Sequence, residues 1–133
     1  MNKKMIIYLA ILIMSVLFVT NIAAAANITP FADTVFSSAT PSLTSGKNIT
    51  FTAYTVTPQK SISVTNCWLE QKINNSWTTV CSLTPPSTTA QNVMVFSTTK
   101  SYASQIGTGT FRVWATFNAD GHEVTRCSNE RTF

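Results

Sequence analysis

The stretch Thr110-Phe-Arg-Val-Trp-Ala-Thr-Phe-Asn118 decides the fold class of this chain. Phenylalanine, valine and alanine alternate in it with arginine, tryptophan and threonine, so one face is wholly apolar. A period of two residues is the pattern of a strand with one buried face. Asp120-Gly121 follows and is the strongest hairpin signal in the chain, because both residues accept the left-handed backbone of a tight turn. Residues 122–129 are therefore predicted to return as the paired strand.

The same alternation recurs along the rest of the chain after residue 26. Phe36 and Leu43 are each placed to anchor a short edge strand, and Pro58 is predicted to end a strand. No segment of this part shows a sustained period of 3.6 residues. Short strands separated by turn signals predict an all-β fold, an Ig-like β-sandwich of about seven strands, with a small barrel as the alternative. The remaining predicted strands cover residues 49–54, 61–73, 76–83 and 93–99.

The first 26 residues have the three parts of a secretory signal peptide. Lys3 and Lys4 give it a positive start. Residues 5–19 are apolar and can enter a bilayer as a helix, and residues 23–26 are four alanines that suit a signal peptidase. The alternative is an uncleaved membrane anchor, but the apolar run is shorter than the roughly 17–25 residues of a spanning helix.

Cleavage is predicted between Ala26 and Asn27, with the preceding alanines as neighbouring options. The chain is therefore expected to consist of a signal peptide over 1–26 and one secreted β-sandwich domain over 27–133. Without the leader, seven basic residues remain against five acidic ones, a net charge of +2. A domain of this charge with no basic cluster lacks the pattern of a nucleic-acid binder, so no nucleic-acid partner is expected.

No catalytic or metal-binding constellation can be assembled from the sequence. The chain has one histidine, and none of its three cysteines has the spacing of metal ligands, so no metal or cofactor is expected. His122 lies beside Asp120 and Glu123, but a histidine in a hairpin turn is more often solvated than catalytic. We therefore expect a protein that is not an enzyme.

Two-residue turns determine which side chains share a face across each predicted hairpin. A turn at Asp120-Gly121 and a second turn at Asn74-Asn75 place the tryptophans of their strands on the face opposite to the apolar residues. The pairs that follow are Phe117 with Val124, Trp114 with Cys127, Leu69 with Val80, and Trp68 with Cys81.

A candidate ligand face follows if the strands 67–73 and 110–118 are neighbours, as in Ig sheets. Tryptophan rings stack on sugars or on apolar patches of a partner, and arginine or lysine adds hydrogen bonds. The alternative is that at least two of the tryptophans belong to the core. The residues predicted to line this face are Trp68, Lys72, Trp77, Arg112 and Trp114.

Three cysteines leave the disulfide question open at this point. The predicted strand order places only Cys67 and Cys81 on adjacent strands, which makes theirs the favoured bridge. A two-residue turn puts these two side chains on opposite faces, so a bridge needs an odd loop such as residues 73–75. Either the bridge forms and the tight turn is wrong, or the turn is right and all three thiols, including Cys127, are free.

Five segments of the chain form a recognisable set: Pro30-Phe-Ala, Phe36-Ser-Ser, Glu70-Gln-Lys at a strand end, Ser76-Trp-Thr-Thr-Val, and Gly109-Thr-Phe-Arg-Val-Trp-Ala-Thr-Phe. In these segments the chain resembles a family of small secreted bacterial proteins of unknown function, which carry a signal peptide and one sandwich domain. The resemblance implies no activity and no functional residues.

The function expected from these observations is that of a non-catalytic binding module that is secreted or associated with the cell wall. Its partner is an extracellular protein or glycan, and it meets a membrane only through the leader before cleavage. The alternative is a secreted toxin-like or antimicrobial protein, against which the absence of an amphipathic helix argues.

Overall fold

A computed structural model describes residues 33–133, and in them seven antiparallel strands form one sheet that curls into a half-barrel. The all-β class and the number of strands are as predicted. The signal peptide and the cleavage site between Ala26 and Asn27 lie outside the described residues. The strands are β1 (Phe36–Leu43), β2 (Asn48–Ile73), β3 (Ser76–Leu83), β4 (Ala90–Ser101), β5 (Thr110–Ala119), β6 (His122–Cys127) and β7 (Arg131–Thr132).

The 26-residue strand β2 organises the sheet. Its first half pairs with β1 on one side and β4 on the other, and its second half pairs with β5 and β3. The prediction of two separate strands ending and starting around Pro58 is wrong, because β2 continues through this residue. The pairing of β2 with β4 shifts between Tyr54 and Gln59, and a proline is accepted at such an irregularity because it has no N–H to donate.

The bend in β2 brings the inner faces of its two halves together over one core. Phe51 in the first half packs edge-on against Phe117 of β5, with ring centroids 6.5 Å apart. Tyr102, which follows β4, meets the same Phe51 ring at 6.5 Å. These three side chains are fully or almost fully buried. The alternating apolar residues of the sequence therefore serve one shared core.

Side-chain hydrogen bonds connect the β1 and β6 sides of the curled sheet, where no backbone pairing is present. β1 and β6 are the outer strands of the order β1-β2-β5-β6 and are not paired with each other. At one end, His122 is 2.9 Å from a carboxylate oxygen of Asp33. At the other, the Asn129 side chain accepts from the N–H of Leu43 and donates to its carbonyl, which also accepts from Arg131.

Both predicted hairpin turns are confirmed. Asn74 and Asn75 have φ of 49° and 63°, and Asp120 and Gly121 have 51° and 90°, as the twist of a two-residue hairpin requires. The β5–β6 register is also confirmed, with Trp114 opposite Cys127. The strand order β3-β2-β5-β6 agrees with the prediction.

The register of β2 with β3 differs from the prediction after four residue pairs. A bulge between Leu69 and Glu70 places Cys81, rather than Val80, opposite Leu69. Because one extra residue turns the following side chains to the other face, Leu83 becomes buried and Val80 becomes exposed. The bulge therefore places an apolar side chain in the core where the predicted register would have placed Ser82.

The predicted Cys67–Cys81 bridge is not present, and all three thiols are free. Cys67 faces Leu83 rather than Cys81, and its sulfur lies 3.6 Å from the Leu83 carbonyl oxygen. Burial raises the pKa of the Cys67 thiol. The turn at Asn74-Asn75 is tight and the thiols are free, as the second of the two alternatives requires.

Within residues 33–133 there is no helix long and apolar enough to cross a membrane.

Candidate ligand-binding face

The five side chains singled out in the sequence meet on the outer face of β3, β2 and β5. Strand pairing places Trp68 opposite Trp114 and Lys72 opposite Trp77. The alternate positions of the same strands point into the core, where Cys67 and Val113 are fully buried. We call this surface the aromatic face, and it consists of Trp68, Lys72, Trp77, Arg112 and Trp114.

The pair Trp68 and Trp114 forms the centre of the aromatic face. Their ring centroids are 5.9 Å apart and their planes differ by 9°, which is a stacked geometry. Both rings are partly exposed, as is Trp77. None of the three tryptophans is therefore a core residue.

The guanidinium of Arg112 lies between tryptophans. Its central carbon is 4.3 Å from the ring centroid of Trp77 and 5.5 Å from that of Trp114. The ammonium group of Lys72 is 5.6 Å from the Trp77 centroid. Cations over indole faces are attracted by the ring quadrupole, by about 0.5–1 kcal/mol at exposed sites. The arginine side chain thus links β5 to β3 across β2.

Glu70 holds this arrangement in place, although it is not among the five residues predicted from the sequence. One of its carboxylate oxygens accepts hydrogen bonds from Arg112 Nε at 2.6 Å and from Trp114 Nε1 at 2.9 Å. Burial raises the pKa of Glu70, but the hydrogen bonds from Arg112 and Trp114 outweigh it, so the pKa is below its usual value. Alternation could have found this residue, because it lies two positions from both Trp68 and Lys72.

The terminal nitrogens of Arg112 and the ammonium group of Lys72 remain available to donate hydrogen bonds to a ligand. Within residues 33–133, Arg112 uses Nε for its bond to Glu70, and neither Nη1 nor Nη2 donates a hydrogen bond. The side chain of Arg112 is 26% exposed, whereas that of Glu70 is 14% exposed. Lys72 is exposed and forms no ion pair with the described residues. Hydrogen-bond donors therefore point to solvent beside the rings.

The thiol of Cys127 and the imidazole of His122 are two other reactive groups of the chain, and both are engaged with neighbouring residues of the fold. Cys127 lies across from Trp114, and burial raises the pKa of its thiol, which disfavours the nucleophilic thiolate. His122 is engaged with Asp33, whose other carboxylate oxygen accepts from the N–H groups of Val35 and Phe36. In the part of the chain that the structure describes, no three potential metal ligands cluster.

Comparison with known proteins adds no relative to these observations: no protein-family model, no curated protein and no solved structure matches the chain.

Proposed function

We propose that this chain is a secreted or cell-surface, non-catalytic binding module whose aromatic face contacts an extracellular protein or glycan. The observation that carries the proposal is the partly exposed stack of Trp68 on Trp114, continued by Arg112 and Trp77. Tryptophan and arginine are the residues that most often supply large shares of binding energy at interfaces. Here three tryptophans and an arginine share one surface.

Preorganisation favours this function further. The rings are held by stacking, by the Trp114–Glu70 hydrogen bond and by the cation between them, so little side-chain freedom is left to lose. Immobilising a free side chain at an interface costs about 0.5–1.5 kcal/mol. A ligand of the aromatic face avoids much of this cost because the protein has already ordered these groups.

Secretion and an Ig-like sandwich architecture belong to the same proposal. The leader over residues 1–26 and the resemblance to small secreted bacterial proteins support export. The sandwich assignment is supported by β2, whose first half pairs with β1 and β4 and whose second half pairs with β5 and β3, and by the packing of Phe51 on Phe117 across one core. Strands that pass from one sheet to another through a bulge or bend are a known way to connect packed sheets.

The test is a glycan array and a pull-down with the exported protein, comparing the natural chain with Trp114→Ala and Trp77→Ala. The matched control is Tyr54→Ala, which removes an aromatic ring that is 46% exposed and lies in the first half of β2. We expect both tryptophan variants to weaken binding at least tenfold and the tyrosine variant to leave it unchanged.

Binding that survives both tryptophan substitutions would contradict the proposal. So would growth inhibition or liposome leakage at micromolar protein without any ligand binding, which would favour the toxin-like alternative. Far-ultraviolet circular dichroism of each variant checks that the fold is retained.

A further inference from the structure

The charges around Trp77 are unequal. Lys72 and Arg112 both lie within 5.6 Å of its ring centroid, measured from Nζ and from the guanidinium carbon. The nearest acid, Glu70, is already bound by Arg112 and Trp114, and its pKa is lowered. One negative charge is thus set against two positive ones, so the exposed part of this region favours an anion.

The available donors have a suitable geometry for a carboxylate. Nη1 and Nη2 of an arginine can form two parallel hydrogen bonds to both oxygens of a carboxylate, and this pair of donors is the one that Arg112 has left, since Nε binds Glu70. Arg112 binds Glu70 through Nε, and neither Nη1 nor Nη2 donates a hydrogen bond to any residue from 33 to 133. Lys72 adds a second cation near the same ring, which increases the positive charge around these donors.

The surroundings of these donors match a sugar better than a protein surface. The outward positions of β5 from residue 110 to 116 are Thr110, Arg112, Trp114 and Thr116, and those of β2 from 68 to 72 are Trp68, Glu70 and Lys72. These positions of β5 and β2 contain indole rings, hydroxyls and charged groups but no aliphatic side chain, and the exposed aliphatic residue of β3 is Val80, three residues after Trp77. A sugar ring presents C–H groups and hydroxyls together, whereas the centre of a protein interface is mainly apolar.

From these observations we infer that the aromatic face binds a carboxylate-bearing glycan, with the carboxylate at Nη1 and Nη2 of Arg112 and at Nζ of Lys72. The sugar ring packs against the exposed part of Trp77. This inference rests on the proposed function and narrows it to one class of ligand.

The test measures binding of the exported protein to polygalacturonate by isothermal titration calorimetry. Two further ligands separate the contribution of the charge from that of the sugar. The methyl-esterified polymer has the same backbone without the charge, and poly-L-glutamate has carboxylates without the sugar. The titration with polygalacturonate is also repeated with salt raised from 50 to 500 mM. We expect the ester and poly-L-glutamate to bind at least tenfold more weakly than polygalacturonate, and high salt to weaken binding to polygalacturonate.

Two substitutions locate the carboxylate. Arg112→Gln is expected to weaken polygalacturonate binding at least tenfold, but it also removes the charged partner of Glu70. Lys72→Gln is therefore the second variant, because its exposed side chain makes no hydrogen bond to the described residues, and we expect a loss of about threefold. The matched control is Lys60→Gln at the bend of β2, which should change nothing.

The outcomes distinguish this inference from the proposed function. Equal, Trp77-dependent binding of the esterified and free polymers overturns the carboxylate assignment and leaves the proposed function standing. Binding of poly-L-glutamate as tight as that of polygalacturonate overturns the sugar and indicates an acidic peptide. If no probe binds in a Trp77-dependent manner, this inference fails, and the glycan array and the pull-down with the tryptophan variants decide the proposed function separately.

Discussion

The two halves of β2 present outer faces of opposite chemistry. In the first half, Thr50 and Thr52 lie outward between β1 and β4, beside hydroxyl-bearing partners such as Thr99. In the second half, Trp68 and Glu70 occupy the equivalent outward positions. Both halves are strand segments paired on both sides, and their outward side chains differ.

The first of these surfaces uses its hydrogen-bonding groups on itself. The hydroxyls of Thr50 and Thr99 are 2.8 Å apart across the β2–β4 pair. Cross-strand threonine pairs contribute about 0.2–1 kcal/mol each, and their side chains are short. The aromatic face instead keeps large rings and the terminal nitrogens of Arg112 exposed. The second half thus combines stacked indole rings with available cationic donors.

The largest expected effect comes from the core that both halves share. Phe117→Ala removes the ring that packs on Phe51, and we expect a loss of about 3–5 kcal/mol in the free energy of unfolding. Because both halves rest on this contact, urea unfolding followed by tryptophan fluorescence and by far-ultraviolet circular dichroism should shift together. Fluorescence that shifts alone would show that the halves unfold independently. Phe117→Leu is the matched control and should lose much less.

The second effect is confined to the aromatic face. Glu70→Ala removes the acceptor of Arg112 and Trp114, and we expect about 2 kcal/mol of destabilisation because a partly buried arginine loses its partner. Glu70→Gln keeps an acceptor and should lose less. The unfolding midpoint in urea measures both. An unchanged midpoint for Glu70→Ala would mean that the stack holds Arg112 without the carboxylate.

The third effect is a pH dependence of the free energy of unfolding, and it comes from the contact between Asp33 and His122. The hydrogen bond from His122 is the main cause that lowers the pKa of Asp33 from 3.8 to about 2. Since the folded pKa lies below the unfolded one, the stabilisation is complete above pH 3.8 and is lost as the pH falls through 2. Because the pair is near the surface, we expect about 1 kcal/mol.

Asp33→Asn tests this contribution directly. The free energy of unfolding of the variant should fall less between pH 5 and pH 2 than that of the natural chain. Other carboxyls with lowered pKa values, those of Glu70 and Asp120, act in the same direction in both proteins and cancel in the comparison. Identical acid profiles would show that the Asp33–His122 contact does not stabilise the fold.

The smallest effect belongs to the threonine pair. Thr99→Val removes one hydroxyl from an exposed pair and keeps the β-branched shape, so we expect a change within about 0.5 kcal/mol. The urea midpoint measures it beside that of Glu70→Ala. A change as large as that of the glutamate variant would contradict the difference between the two faces.

Local patterns were sufficient to predict much of this molecule. Alternation placed the tryptophans, Lys72 and Arg112 on the face opposite to the apolar side chains, and the turn residues set the register of β5 with β6. These features depend on neighbours within a few residues. They can therefore be predicted from each segment alone, without knowledge of the tertiary structure.

Other features depend on residues far apart in the sequence. The continuity of β2 through Pro58 and the bulge that turns Leu83 inward follow from filling the one core that both halves of β2 share. The pairing of Glu70 with Arg112 follows from a register between strands that no hairpin connects.

The sequence by itself determined the class of fold, the tight turns and which side chains share a strand face. Only the tertiary structure decided that Arg112 reaches Trp77 across β2, that Glu70 binds both Arg112 and Trp114, and that Cys67 lies opposite Leu83 instead of Cys81. The physical reason is that strand periodicity is local, whereas register and bulges are chosen by the packing of distant strands against a common core.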